Sequence, residues 1–230
     1  MSTRRGFRSG SIPGSVLAYA MDMFDRRFIP HPGRVTFLEG SREAVDALFQ
    51  IFCVRELSEE GQVYWVDGGT SFDPHHMARI LNRGGYNPRI FLDNIHVSRA
   101  FTAHQMCAIL EGGLEGAMMK NGPGSIMVPW VSSPFLDDDL EVIEAQYLVR
   151  GSLEHLQEIS RKQDAAIVLS ASMDKGQGRQ RIYRSVREYS DQVLNITMEA
   201  RTLSLQNPDG EVLRFPLISG QTSFESFLGG

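Results

Sequence analysis

Residues able to do chemistry cluster at a few points along this chain, and the first is a turn, Glu39-Gly40-Ser41, placed between a strand-like and a helix-like stretch. A phosphate-binding loop at such a turn follows the pattern GxxxxGK[ST]. Its glycines let backbone N–H groups approach phosphates, its lysine neutralises charge and its hydroxyl holds Mg²⁺. That pattern occurs nowhere in the sequence, and this turn runs into Arg42-Glu43-Ala44, which puts a carboxylate where phosphates would be repelled. Asp67 ends a second strand-like stretch, the place where α/β sheets hold ligands, so a vestigial pocket beside Gly40 and Asp67 is one expectation. Asp137-Asp138-Asp139, with Glu141 and Glu144, lacks the spacing of a calcium loop and reads as a solvated helix N-terminus offsetting the helix dipole. His75 and His76, adjacent on a helix, cannot both face one metal. No Gly-x-Ser-x-Gly or other nucleophile grouping is present, and no metal is expected.

Charge is unevenly spread. Between Ser172 and Ser190 stand Lys175, Arg179, Arg181, Arg184 and Arg187 against only Asp174 and Glu188, with Gly176 and Gly178 expected to leave the segment mobile. Basic side chains on such a segment can follow a phosphate chain through counterion release, although basic solvated loops also occur in proteins that never meet nucleic acid. Tyr183 and Tyr189 could stack on bases, but aromatic residues near a strand start more commonly enter a core.

The elements that must position these residues follow from apolar periodicity. Arg34 to Leu38 reads as a strand and Ser41 to Val54 as a helix, with Ala44, Val45, Ala47, Leu48, Ile51 and Phe52 at helical spacing. Gly61 to Asp67 is a second strand, and Asp73 caps a helix from Pro74 to Arg83. Strands at Ile95–Ser98, Ser125–Val131 and Ala165–Ser170 alternate with helices at His104–Glu115 and Leu140–Gln163. That alternation implies an α/β fold with a three-layer arrangement around a mainly parallel sheet. The pattern then changes to antiparallel strands at Gln192–Met198, Thr202–Gln206 and Val212–Leu217, with Asn207-Pro208-Asp209-Gly210 as a turn. Residues 1–26 read as a lead-in and 27–230 as a single core domain, a size of chain that buries a substantial core.

Composition sets outer bounds. The 230 residues are 42% hydrophobic and 22% charged with a net charge of −5, ordinary for a globular protein and contrary to a surface that is basic throughout. Cys53 and Cys107 lie in apolar stretches, where buried free thiols are expected, and with them a reducing compartment. The sequence has neither a secretion signal nor a membrane span, so a cytoplasmic location is expected.

Several strings resemble the ATPase core of the archaeal RadA and eukaryotic strand-exchange recombinases of the RecA family. They are Val63-Tyr-Trp-Val-Asp67 with Thr70-Ser-Phe72, His96-Val-Ser-Arg-Ala-Phe101 with His104-Gln-Met106, and Tyr147-Leu-Val-Arg-Gly-Ser-Leu153. The resemblance covers roughly residues 27–217 and implies a RecA-like core without the family's separate N-terminal helical domain. If Gly40 and Ser41 match the family's Gly-Ser, Glu43 stands at the position of the phosphate-loop lysine and Ala44 at that of the hydroxyl. The family's Mg²⁺-binding aspartate would end the strand Ile126-Met127-Val128, where Pro129 stands, and its water-activating glutamate would fall at Gly69. The resemblance thus implies lost ATP and Mg²⁺ binding, hence no cofactor and no catalysis.

The family's DNA-contacting loops map onto the arginine in Tyr147-Leu-Val-Arg150 and onto the basic segment with Lys175, Arg179, Arg181 and Arg184. Its polymerisation segment, Phe-x-x-Ala, has a weak counterpart in Phe7-Arg8-Ser9-Gly10. The expected function is that of a non-catalytic recombinase paralogue of archaeal type. It would bind single-stranded DNA, a RadA-type recombinase, or both, as an accessory factor in recombinational repair, alone or as a homo- or hetero-oligomer. A RecA-fold interaction scaffold without DNA binding, and a nucleotide-binding protein with a degenerate site, are the alternatives.

Overall fold

A computed structural model of the chain describes residues 25–83, 85–172, 177–199 and 202–216. Eight strands form one sheet: β1 (Val35–Gly40), β2 (Gln62–Asp67), β3 (Ile95–Arg99), β4 (Gly124–Val128), β5 (Ile167–Ser170), β6 (Gln192–Glu199), β7 (Thr202–Gln206) and β8 (Val212–Pro216). Their order is β3-β2-β4-β5-β1-β6-β7-β8. The pairings from β3 to β6 are parallel, and β6-β7-β8 is antiparallel.

Alternation along the buried strands feeds two cores. Leu38, Trp65, Met127 and Val168 face one side, under α1 (Arg42–Ser58), α2 (Pro74–Arg83) and α3 (Pro88–Leu92). Phe37, Tyr64, Val66, Ile126 and Leu169 face the other, under α4 (Ala103–Ala108), α5 (Leu114–Asn121), α6 (Val142–Gln163) and α7 (Gln177–Glu188). This is the three-layer α/β arrangement the alternation implies. Both cysteines are buried and free. Among the described residues no helix is long and apolar enough to cross a membrane.

Four local differences from the sequence expectations have physical causes. The strand expected to reach Val131 ends at Val128: Pro129 has no N–H for the ladder, and Trp130 takes a left-handed φ of 54°. The helix expected over His104–Glu115 continues to Asn121 through a π turn at Ile109–Gly113, with Gly112 and Gly113 at its end. Pro88–Leu92 forms an unforeseen helix because Asn87 caps it by accepting from Arg89 N, with proline at its first turn. The segment expected to be a mobile basic loop is largely helix α7, since Ile182, Tyr183 and Val186 lie at helical spacing and are buried against the sheet.

Candidate functional site

The carboxyl ends of β1, β2, β4 and β5 meet at one edge of the sheet, where the degenerate nucleotide site is expected. Ser41 caps α1, its Oγ accepting from Ala44 N at 3.4 Å. Glu43 is exposed in the first turn, where its charge offsets the helix dipole, and Ala44 is fully buried. Gly40 has no room for a side chain: a Cβ there would lie 2.5 Å from the Ile196 carbonyl oxygen on neighbouring β6.

Asp67 is 2% exposed, and its oxygens are committed to the loop that follows. They accept from Gly69 N at 3.3 Å, Ser71 N at 2.8 Å, Ser71 Oγ at 3.1 Å and Phe72 N at 3.1 Å. Arg99 Nε stands 3.5 Å from Asp67 Oδ2. Such a carboxylate is a staple of the loop, holding Thr70 at a φ of 54°.

These loops are tied to one another by side chains. The Arg42 guanidinium lies over the Trp130 ring, 5.0 Å from its centroid, and Arg42 Nη2 donates to the Gly69 carbonyl at 3.0 Å. Trp130 Nε1 donates to Asp46 Oδ1 at 2.6 Å, and Asp46 Oδ2 is 3.6 Å from Arg42 Nε. Burial lifts the Asp46 carboxyl above the usual aspartate range, against the lowering effect of the indole N–H and of Arg42. Gly69 has no room for a side chain, since a Cβ would sit 2.9 Å from Trp130 Cβ. Beside this cluster a cavity of about 10 Å³, lined by Asp46, Gln50, Trp65 and Ser71 among others, is no larger than one water molecule. Pro129 is buried at the start of the same turn.

A second site lies between α6 and α7. Arg150, Arg181 and Arg184, all exposed, line a groove of about 410 Å³ together with Gln146, Tyr147, Ser185 and Glu188. Tyr147 is 79% exposed, as is Ile143, one turn earlier, at 77%. The Gln146 amide nitrogen is buried without a hydrogen-bond partner among the described residues. Arg150 stands in the middle of α6, inside the helix expected over Leu140–Gln163, and so not in the loop after β4 where the resemblance puts the family's DNA-contacting arginine. The connection that does follow β4 carries Asp137, Asp138 and Asp139 and no basic residue. Arg179 stands in the first turn of α7, while Lys175, like Phe7 to Gly10, lies outside the described residues.

Arg42, Asp46 and Trp130 escape a sequence reading because the three side chains meet only through the fold. The available signals were an arginine directly after Gly40-Ser41 and a tryptophan directly after Pro129. His75 and His76 are where the spacing puts them, on α2, with His76 Nδ1 3.2 Å from Arg79 Nη2. Among the described residues no group of three His, Cys, Asp or Glu side chains could hold a metal.

A search of curated proteins finds no match to the chain. The model of the Rad51 family matches residues 49–185, from within α1 to within α7, and so includes Asp67, Gly69, Pro129 and the arginines of the groove. This match spans more than half of the sequence and agrees with the RecA-like architecture, a mostly parallel sheet closed by antiparallel strands: the chain belongs to the Rad51 family of recombinases.

Proposed function

We propose that this member of the Rad51 family serves recombination and repair as a binding factor that does not turn over ATP, and that it engages single-stranded DNA along the α6–α7 groove. One observation supports the reading: the Arg42 guanidinium lies over Trp130 and is bonded to the Gly69 carbonyl, so that one side chain ties together the turns after β1, β2 and β4. Glu43 in the first turn of α1 and Gly69 under Trp130 are poor substitutes for a phosphate-binding lysine and a water-activating carboxylate. Neither nucleotide nor Mg²⁺ is needed for the proposed role.

The groove supports the DNA part. Three guanidinia and an exposed tyrosine ring, opposed by one carboxylate, supply phosphate contacts and a stacking surface. Salt-sensitive affinity follows from counterion release. The exposed apolar pair Ile143 and Tyr147 also favours a second reading, in which the same helix face meets a protein such as a recombinase.

Hydrolysis and binding assays on the purified chain separate these readings. The expected result is no ATP turnover above a buffer blank, with or without DNA, and no thermal stabilisation by ATP with Mg²⁺. Turnover that disappears on substitution within Gly40–Ala44 would overturn the non-catalytic reading. Absence of DNA binding, with retention of a recombinase in a pull-down lost on Tyr147→Ala, would favour the protein-partner reading.

A further inference from the structure

The basic groove is tied to the carboxyl end of β1 by side-chain contacts. Glu39, the residue before Gly40 on β1, accepts a hydrogen bond from the Tyr183 hydroxyl and lies 3.4 Å from Arg187 Nε. Tyr183 and Arg187 are one turn apart on α7, the helix that carries Arg181 and Arg184. The Tyr183 ring is buried and meets Phe37 of β1 edge-on, with centroids 5.5 Å apart.

The C-terminal end of α7, just past Arg187, is also tied to α6. Gln157 Nε2 donates to the Tyr189 carbonyl at 2.6 Å, and the Tyr189 hydroxyl donates to Glu154 Oε1 at 2.8 Å. The connection toward α6 is itself bonded to the end of β5. Trp130 N donates to Ser170 Oγ, Val131 N to the Ser170 carbonyl and Ser172 N to Ser132 Oγ, each at 2.9 Å. Both walls of the groove are therefore set by contacts within the protein.

We propose that Glu39 is a positioning residue for the groove: by holding Tyr183 and Arg187 it fixes α7 so that Arg181 and Arg184 stand opposite Arg150, giving a DNA affinity that does not depend on nucleotide. This rests on the reading of the groove as a DNA site. Simple electrostatics makes the opposite prediction. Glu39 is a negative charge held against the arginine-bearing helix, so its removal should strengthen attraction for a polyanion if charge alone mattered.

The experiment titrates labelled oligothymidine with the full chain and its Glu39→Ala, Glu39→Gln and Tyr183→Phe variants, with and without ATP and Mg²⁺, at a temperature well below every variant's Tm. Glu39→Ala and Tyr183→Phe are expected to weaken binding about threefold or more, in the range of coupling through packed networks. Glu39→Gln, which keeps an acceptor for Tyr183, is expected to stay near wild type, and nucleotide is expected to change nothing. Equal tightening by both Glu39 variants would overturn the proposal in favour of plain charge. An unchanged Kd with only a lower Tm would overturn it in favour of a purely structural contact.

Hydrogen exchange across Gln177–Glu188 provides a readout free of DNA. Faster exchange in Glu39→Ala and Tyr183→Phe but not in Glu39→Gln supports the positioning role, and unchanged exchange overturns it. Should the wild-type chain fail to bind oligothymidine, the DNA reading fails by itself, and the exchange result alone decides whether Glu39 positions α7.

Discussion

Arg42, the first residue of α1, and Trp130, in the connection after β4, meet with the guanidinium 5.0 Å from the ring centroid. The arginine thereby links the end of β1 to the connection after β4, and its bond to the Gly69 carbonyl adds the loop after β2. Loops that a bound nucleotide could bridge are here bridged by one side chain.

On the proposed reading, a lysine at position 43 should not create nucleotide binding. Glu43→Lys changes an exposed residue and is expected to shift Tm by no more than about 2 °C. ATP with Mg²⁺ should give this variant no thermal stabilisation, because Arg42 still ties Trp130 to the Gly69 carbonyl. Stabilisation by several degrees, roughly what ligand at a hundredfold excess over Kd would give, would show that the site opens readily.

Small residues at this edge are predicted to be intolerant. A Cβ at Gly69 would lie 2.9 Å from Trp130 Cβ, and one at Gly40 would lie 2.5 Å from the Ile196 carbonyl oxygen. Gly69→Glu and Gly40→Ala should each destabilise by about 1–3 kcal/mol, the usual cost of overpacking. Denaturant melts that match wild type for Gly69→Glu would mean that the Trp130 ring moves aside at little cost.

At the opposite end of the sheet, Glu56 supplies a pH test. Burial raises its carboxyl pKa, aided by Glu59 and opposed by a hydrogen bond from Ser125 and by Arg55. A folded-state pKa above the unfolded one means that the native state binds the proton more tightly. The group's favourable contribution is full below the unfolded value near 4.5 and is lost as pH rises through the folded value. Glu56→Gln should consequently raise Tm by roughly 1–3 °C at neutral pH, with the gain shrinking to nothing below that window. Thermal melts from pH 4 to pH 8 check this, and a gain that persists unchanged at low pH would contradict it.

Much of the fold is legible in the sequence because local signals agree with the tertiary outcome. Asp73 with Pro74 and Ser41 before an apolar helical stripe mark helix starts that the structure keeps. The region from Ser172 to Ser190 misleads because its glycines and charges outweigh three buried side chains, Ile182, Tyr183 and Val186, whose role depends on the sheet beneath them. Arg150 is found by its string, yet its helical setting separates it from the loop that the resemblance suggested. The contact between Arg42 and Trp130 is not legible, because a cation–aromatic pair leaves no periodicity to read, and neither does the clasp of Glu39 on Tyr183.

The central claim, a DNA-binding groove that works without nucleotide, is tested most directly by fluorescence anisotropy of labelled single-stranded DNA across a salt series, using wild type and the Arg150→Ala, Arg181→Ala and Arg184→Ala variants. The account predicts binding that weakens as salt rises and is indifferent to ATP. Each variant should lower affinity and reduce the salt slope by about one, at unchanged Tm. No binding at low salt, or three variants that bind as wild type does, would contradict it.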